Sequence, residues 1–125
     1  MLQFSRIRLS SEADSRLKML KARTGLAPNL LCRVALCVSL NEPTPPDPRA
    51  YQDESGREMN RVTLFGQWDE AYCRLIEHRI WEYGMPPEVA DAQVAAHVNR
   101  GVALLSQRLH GLDDLTAVLE DVAHE

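Results

Sequence analysis

The chain has 125 residues, 45% hydrophobic and 26% charged, with a formal net charge of −4 and a pI near 5.5. That composition excludes wholesale disorder and suits one globular domain, residues 1–125, able to bury a core. The longest uncharged, mostly apolar run, Val34 to Leu40, is seven residues, far short of the roughly 18 that a membrane span requires. The charge is unevenly spread. Residues 1–40 hold seven Lys and Arg against two acidic residues, a net +5, whereas residues 41–125 hold seven against sixteen, a net −9. A basic N-terminal third on an acidic chain points to a polyanion-facing surface.

The elements follow in chain order. From Phe4 to Leu9, Arg6 and Arg8 alternate with Ile7 and Leu9, which predicts a short strand. Ser10 or Ser11 then offers an N-cap, with Glu12 and Asp14 in the first turn of a helix running to about Arg23. Its buried stripe is Ala13, Leu17, Leu20 and Thr24, flanked by Lys18 and Lys21 on one side and Arg16 and Arg23 on the other. Gly25 ends it, and Pro28 suits the first turn of the next helix. Asn29 to Leu40 carries one charge in twelve residues and is apolar on every side. Such a helix is either buried between copies of the chain or wrapped by its own chain. The first alternative makes Leu30, Leu31, Val34, Leu36 and Val38 an oligomer interface.

Asn41 to Gly56, with four prolines in six positions, has no period and reads as an extended, exposed connection. Met59 to Phe65 reads as a second strand with Val62 and Leu64 on one face, closed by Gly66. The remainder is helical. One segment is capped by Asp69, with Tyr72, Leu75, Ile76, Ile80 and Tyr83 as its apolar face and Gly84 as its stop. A longer helix follows from Glu88 to about Leu109 on the stripe Val94, Val98, Val102, Leu105 and Leu109. Gly101 inside it costs about 1 kcal/mol relative to Ala, which predicts close backbone packing or a kink there. A last short helix, capped at Asp113, buries Leu115, Val118, Leu119 and Val122. The expected fold is mainly α: a compact helical domain with an N-terminal strand–helix–helix unit and a short second strand.

Catalytic chemistry finds little support. Cys32, Cys37 and Cys73 sit in apolar helical patterns and read as reduced core thiols. His78, His97, His110 and His124 are scattered, and neither the CxxC nor the i, i+4 spacing of a metal site occurs. No Gly-rich phosphate loop or nucleophile elbow is present. No metal, no cofactor and no catalytic residue are therefore expected. His97 and Arg100 share a helix face and read as a bridge to a neighbouring element in preference to a phosphate site. The opening MLQFSRIRLS lacks the pattern of a secretory signal, which points to the cytoplasm.

Strand, amphipathic helix, Thr24-Gly25 and apolar helix follow in the order of a ribbon-helix-helix module, in which strands pair across a dimer to read the major groove. Ala27, Pro28 and Asn29 stand where a phosphate-gripping Ser or Thr is usual, and the module leaves residues 41–125 unexplained. Four stretches together resemble the DndE family of DNA sulfur modification proteins. They are RIRLS, LKMLKARTGLAPNLLCRVAL, VTLFG and AAHVNRGVALLSQRLHGLDDL. The TG-x-x-PN turn and the AHVNRGV run are the specific pieces. The resemblance implies a non-catalytic accessory protein of the bacterial system that replaces a non-bridging DNA phosphate oxygen by sulfur, with a cysteine desulfurase, an iron–sulfur protein and an ATPase carrying the chemistry. It further implies a homotetramer that binds DNA, nicked duplex above all, through surface lysines. Lys18 and Lys21 match those contacts best, Arg16 and Arg23 flank them, and Arg6 and Arg8 join by the ribbon-helix-helix analogy. The alternative is a ribbon-helix-helix repressor reading an operator. Arg49 and Arg57, outside the basic unit, are expected to play no part.

Overall fold

A computed structural model describes residues 2–123. Strand β1 (Arg6–Arg8) pairs antiparallel with β2 (Glu58–Asn60) of the same chain, in the register Arg6 to Asn60, Ile7 to Met59 and Arg8 to Glu58. Alternation puts Ile7 and Met59 in the core and the charged partners outside. Main-chain bonds from Leu9 N to Arg57 O (2.8 Å) and from Arg61 N to Ser5 O (2.8 Å) extend the ladder beyond both ends. The ribbon-helix-helix analogy thus holds for element order only, because β1 finds its partner within its own chain.

Helix α1 (Ser11–Thr24) starts as the sequence dictates: Ser10 Oγ accepts from Ala13 N at 3.0 Å. It ends at Gly25, whose φ of 76° lets its N–H reach Lys21 O. Ala13, Leu17, Leu20 and Thr24 are buried as expected. Helix α2 (Pro28–Leu40) is the central element, packed most extensively on α5 (Ala90–Arg108). Gly101 of α5 makes that packing possible. A Cβ there would lie 1.9 Å from Ala35 O, so only a residue without a side chain lets the two backbones approach.

The all-apolar α2 is wrapped by its own chain. Leu31, Leu36 and Val38 are buried inside this one chain, which corrects their assignment to an oligomer interface: their side chains have no surface to offer a second copy. Leu30 is exposed and Val34 half-buried.

Four boundaries also differ from the sequence reading. Residues 59–65 do not form one strand. After β2, Asn60 starts the short helix α3 (Arg61–Phe65), which buries the consecutive Leu64 and Phe65 and leaves Val62 81% exposed. Strand alternation cannot bury two neighbours on one face, so packing overrides the β-branched propensity of the segment. Asp69 is the first residue of α4 (Asp69–Glu82), not its cap, and its carboxylate binds Arg61 at 2.7 and 3.0 Å. The buried stripe of α4 is Cys73, Ile76 and Ile80, while Leu75 is exposed. Helix α5 is led by a 3-10 turn, Pro87–Val89, and buries all five residues of its expected stripe. Asp113 lies in the 3-10 turn Leu112–Asp114 that precedes α6 (Leu115–Ala123), where Val118 is buried and Leu119 exposed. His124 lies outside the described residues.

Residues 41–56 are exposed for most of their length but not loose. Pro46 is buried, and side chains of α4 and α5 bind the main chain of this segment. No helix among the described residues is long and apolar enough to cross a membrane.

Candidate nucleic-acid interface

Helix α1 carries four of the expected cations on two flanks. Asp14, Lys18 and Lys21 form one and Glu12, Arg16, Met19 and Arg23 the other. The structure separates these flanks. On the first, Lys18 Nζ lies 3.5 Å from Asp14, and Asp14 also accepts from Arg57 Nε at 2.9 Å. That pairing brings β2 alongside, where Glu58 sits between Arg6 (3.0 Å) and Arg8 (3.4 Å). On the second flank Arg16 pairs with Glu12 (2.5 Å), and Arg23 turns towards the end of α5, where it meets Ser106 O at 3.4 Å. Lys21 is exposed and has no ion-pair partner among the described residues.

Four of the six expected contacts, Arg6, Arg8, Arg16 and Lys18, are therefore engaged by carboxylates. Two facts keep the first flank electropositive. Arg6, Arg8, Arg57, Lys18 and Lys21 face only two carboxylates, Glu58 and Asp14, a surplus of three positive charges. The exposed pairs of Glu58 with Arg6 and Arg8 are worth only about 0–1 kcal/mol each, so a phosphate replaces that carboxylate at small cost, whereas the half-buried Asp14–Arg57 pair is held more firmly. The Arg57 guanidinium, with Lys18 beside it, holds the Asp14 carboxyl below its ordinary range. Asp14 thus stays ionised and trims the field. Arg16 and Arg23 lie on the far flank, outside this strip.

Arg57, which the sequence places outside the basic unit, joins β2 to α1 through Asp14. Nothing local marks it, since its partner is 43 residues away. It also lines a cleft of about 370 Å³ with Pro28, Asn29, Glu58, Met59, Asn60 and Thr63. Ala27 gives α2 no side-chain cap at this mouth, and Asn29 Nδ2 donates to Thr63 O at 3.3 Å.

The two most specific sequence pieces turn out to be scaffold. In the TG-x-x-PN turn, Thr24 Oγ donates to Leu20 O (2.8 Å) and accepts from Leu26 N (3.1 Å). In the AHVNRGV run, Asn99 Oδ1 accepts from Ser10 N (3.1 Å) and so fixes the start of α1. Arg100 holds Ser39 and Thr44, as the bridging reading expected. The cysteines are free, and burial pushes the Cys32 thiol up to about 12, which makes it inert as a nucleophile at neutral pH.

The family described as DNA sulphur modification protein DndE matches residues 6–111. The chain belongs to the DndE family. The match takes in β1, both flanks of α1 and the whole of α5, and stops before α6. Among solved structures, the chain is similar to DndE from Escherichia coli B7A, which is involved in DNA phosphorothioation modification. Identity is 25% and the TM-score 0.65, over 83% of this chain and 99% of that one. A mutant DndE structure gives 24% identity, a TM-score of 0.65 and the same coverage, a likeness of fold. No curated protein matches the chain.

Proposed function

We propose that this DndE-family chain is a non-catalytic subunit of the bacterial DNA phosphorothioation machinery that holds the DNA backbone in the cytoplasm. The observation that carries this reading is the strip of Arg6, Arg8, Arg57, Lys18 and Lys21, with its surplus of positive charge next to an open cleft. Binding is electrostatic and largely indifferent to sequence. Cations that neutralise phosphates release counterions, so affinity falls steeply with salt. A nick gives the duplex a flexible joint, and a jointed duplex bends towards two strips at lower cost than an intact one. Several copies in a homotetramer multiply a modest site into avidity where their geometry lets strips engage together. The sulfur chemistry then belongs to partner proteins, an iron–sulfur subunit and an ATPase among them.

The test compares intact, nicked and single-stranded DNA at several ionic strengths, with Lys18→Glu/Lys21→Glu and Arg49→Glu as variants. The double reversal is expected to weaken nicked-duplex binding and flatten its salt dependence, and Arg49→Glu to leave both unchanged. Equal losses from both would remove the strip as the binding surface.

A further inference from the structure

One connected polar cluster lies away from the basic strip, where α2, α4 and α5 meet the proline-rich segment. Prolines at 43, 45 and 46 lack an N–H, so this stretch of main chain has few donors to offer. The fold surrounds it with donors. Arg79 Nη2 (2.6 Å) and Tyr83 Oη (3.1 Å) both donate to Glu42 O. Arg100 Nη1 donates to Thr44 O at 2.8 Å, and Gln93 Nε2 to Pro46 O at 3.0 Å. These contacts read the main chain, not the side chains, of the segment.

Ser39 and His97, both fully buried, stand behind these donors. Arg100 Nε donates to Ser39 Oγ at 2.8 Å and Arg100 Nη2 to Ser39 O at 2.9 Å, while Ser39 Oγ lies 2.8 Å from His97 Nδ1. Arginine only donates, so one lone pair of Ser39 Oγ is taken. Unlike Thr24, Ser39 makes no back-bond to the carbonyl one turn earlier. Among the described residues its hydroxyl proton has one acceptor, His97 Nδ1. A Ser39 proton donated to Nδ1 requires His97 to be the neutral tautomer with its proton on Nε2. Gln93 Oε1, one turn back on α5, has no donor, and His97 Nε2 has no partner either. Tyr83 stacks on the His97 ring at 6.1 Å and Arg79 on Tyr83 at 4.5 Å, which ties the imidazole to the donors of Glu42 O.

We propose that Arg100, Ser39 and His97 form a proton-ordered clamp that, together with Arg79 and Tyr83, locks residues 42–46 against α4 and α5 as a strap, able to open as a unit when the order is broken. The strap leads to Asp53, whose carboxylate accepts from Ser11 N and Oγ at 2.9 Å each, and on to Arg57.

Nitrogen–proton correlation NMR on the full chain tests the proton order directly. The expected result is a proton on His97 Nε2 and a bare, accepting Nδ1; a proton on Nδ1 would overturn the proposal. Limited trypsin digestion with mass spectrometry tests the strap. Ser39→Ala and Arg100→Lys are expected to speed cleavage at Arg49–Ala50 several-fold, while cleavage after Lys21 stays slow. Unchanged cleavage at Arg49, or equal acceleration at both sites, would overturn the strap. The tautomer measurement on the unaltered protein stands even if a variant fails to fold.

Discussion

Asp14 and Glu58 set the strength of the basic strip more than any single cation does. Each carboxylate is shared by two cations, so neutralising one frees both for phosphate. Asp14→Asn and Glu58→Gln are accordingly expected to tighten DNA binding and steepen its salt dependence, Glu58→Gln at about 0–1 kcal/mol of stability per exposed pair and Asp14→Asn at more, because its pair with Arg57 is half-buried. Titration of the protein against nicked duplex in rising salt checks this, and weaker binding by both variants would contradict it. His97 gives a separate, pH-dependent signature. Burial, reinforced by the Arg100 and Arg79 charges, lowers its pKa from 6.5 to about 3 in the folded chain. The unfolded chain binds this proton more readily, so the stability due to neutral His97 is complete above about pH 6.5 and drains away as pH falls towards about 3. Urea midpoints between pH 7 and pH 4.5 are expected to drop further for the wild type than for His97→Gln.

At the scale of elements, α2 and α5 decide whether the chain folds. Gly101→Ala gains up to about 1 kcal/mol of helix propensity, but its Cβ would meet Ala35 O at 1.9 Å. Overpacking of this kind costs about 1–3 kcal/mol, and the obstacle here is a main-chain atom. The net expectation is a lower thermal midpoint. Leu36→Asp buries an unpaired charge and is expected to unfold the chain, beyond about 4 kcal/mol, whereas Leu30→Asp on the exposed side of α2 leaves the fold intact. Circular dichroism separates the two outcomes. Light scattering on Leu30→Asp then reports whether copies meet at that face.

Much of this architecture was legible locally. Ser10, Gly25 and Pro28 mark their boundaries by their own chemistry, and the stripe from Val94 to Leu109 recurs at five positions over about four turns. Where local signals conflict, the sequence misleads. Residues 61–65 look like a strand because Val62, Thr63 and Leu64 favour one, yet the chain needs Leu64 and Phe65 on the same side. The site was half legible. Its cations are visible in the composition of residues 1–40, but Glu58 and Arg57 reach them only through the β1–β2 pairing, which links residues some 50 positions apart. The same distance hides the burial of α2, whose uniformly apolar surface fits either a partner copy or the chain's own α5.

For the molecule as a whole, the family match and the fold join a helical scaffold to DNA phosphorothioation, and in the function proposed above the strip holds the polyanion. Asn99, Arg100 and Gly101 give α5 a scaffold role, which leaves α1 with β1 and β2 as the face that the proposed function assigns to DNA. The salt dependence of binding to nicked duplex tests that claim most directly. Log affinity is expected to fall linearly with log salt concentration, and Lys18→Glu/Lys21→Glu to lower the slope by about 2 for two lost phosphate contacts. Salt-insensitive binding, or a slope that the double reversal leaves untouched, would contradict the account.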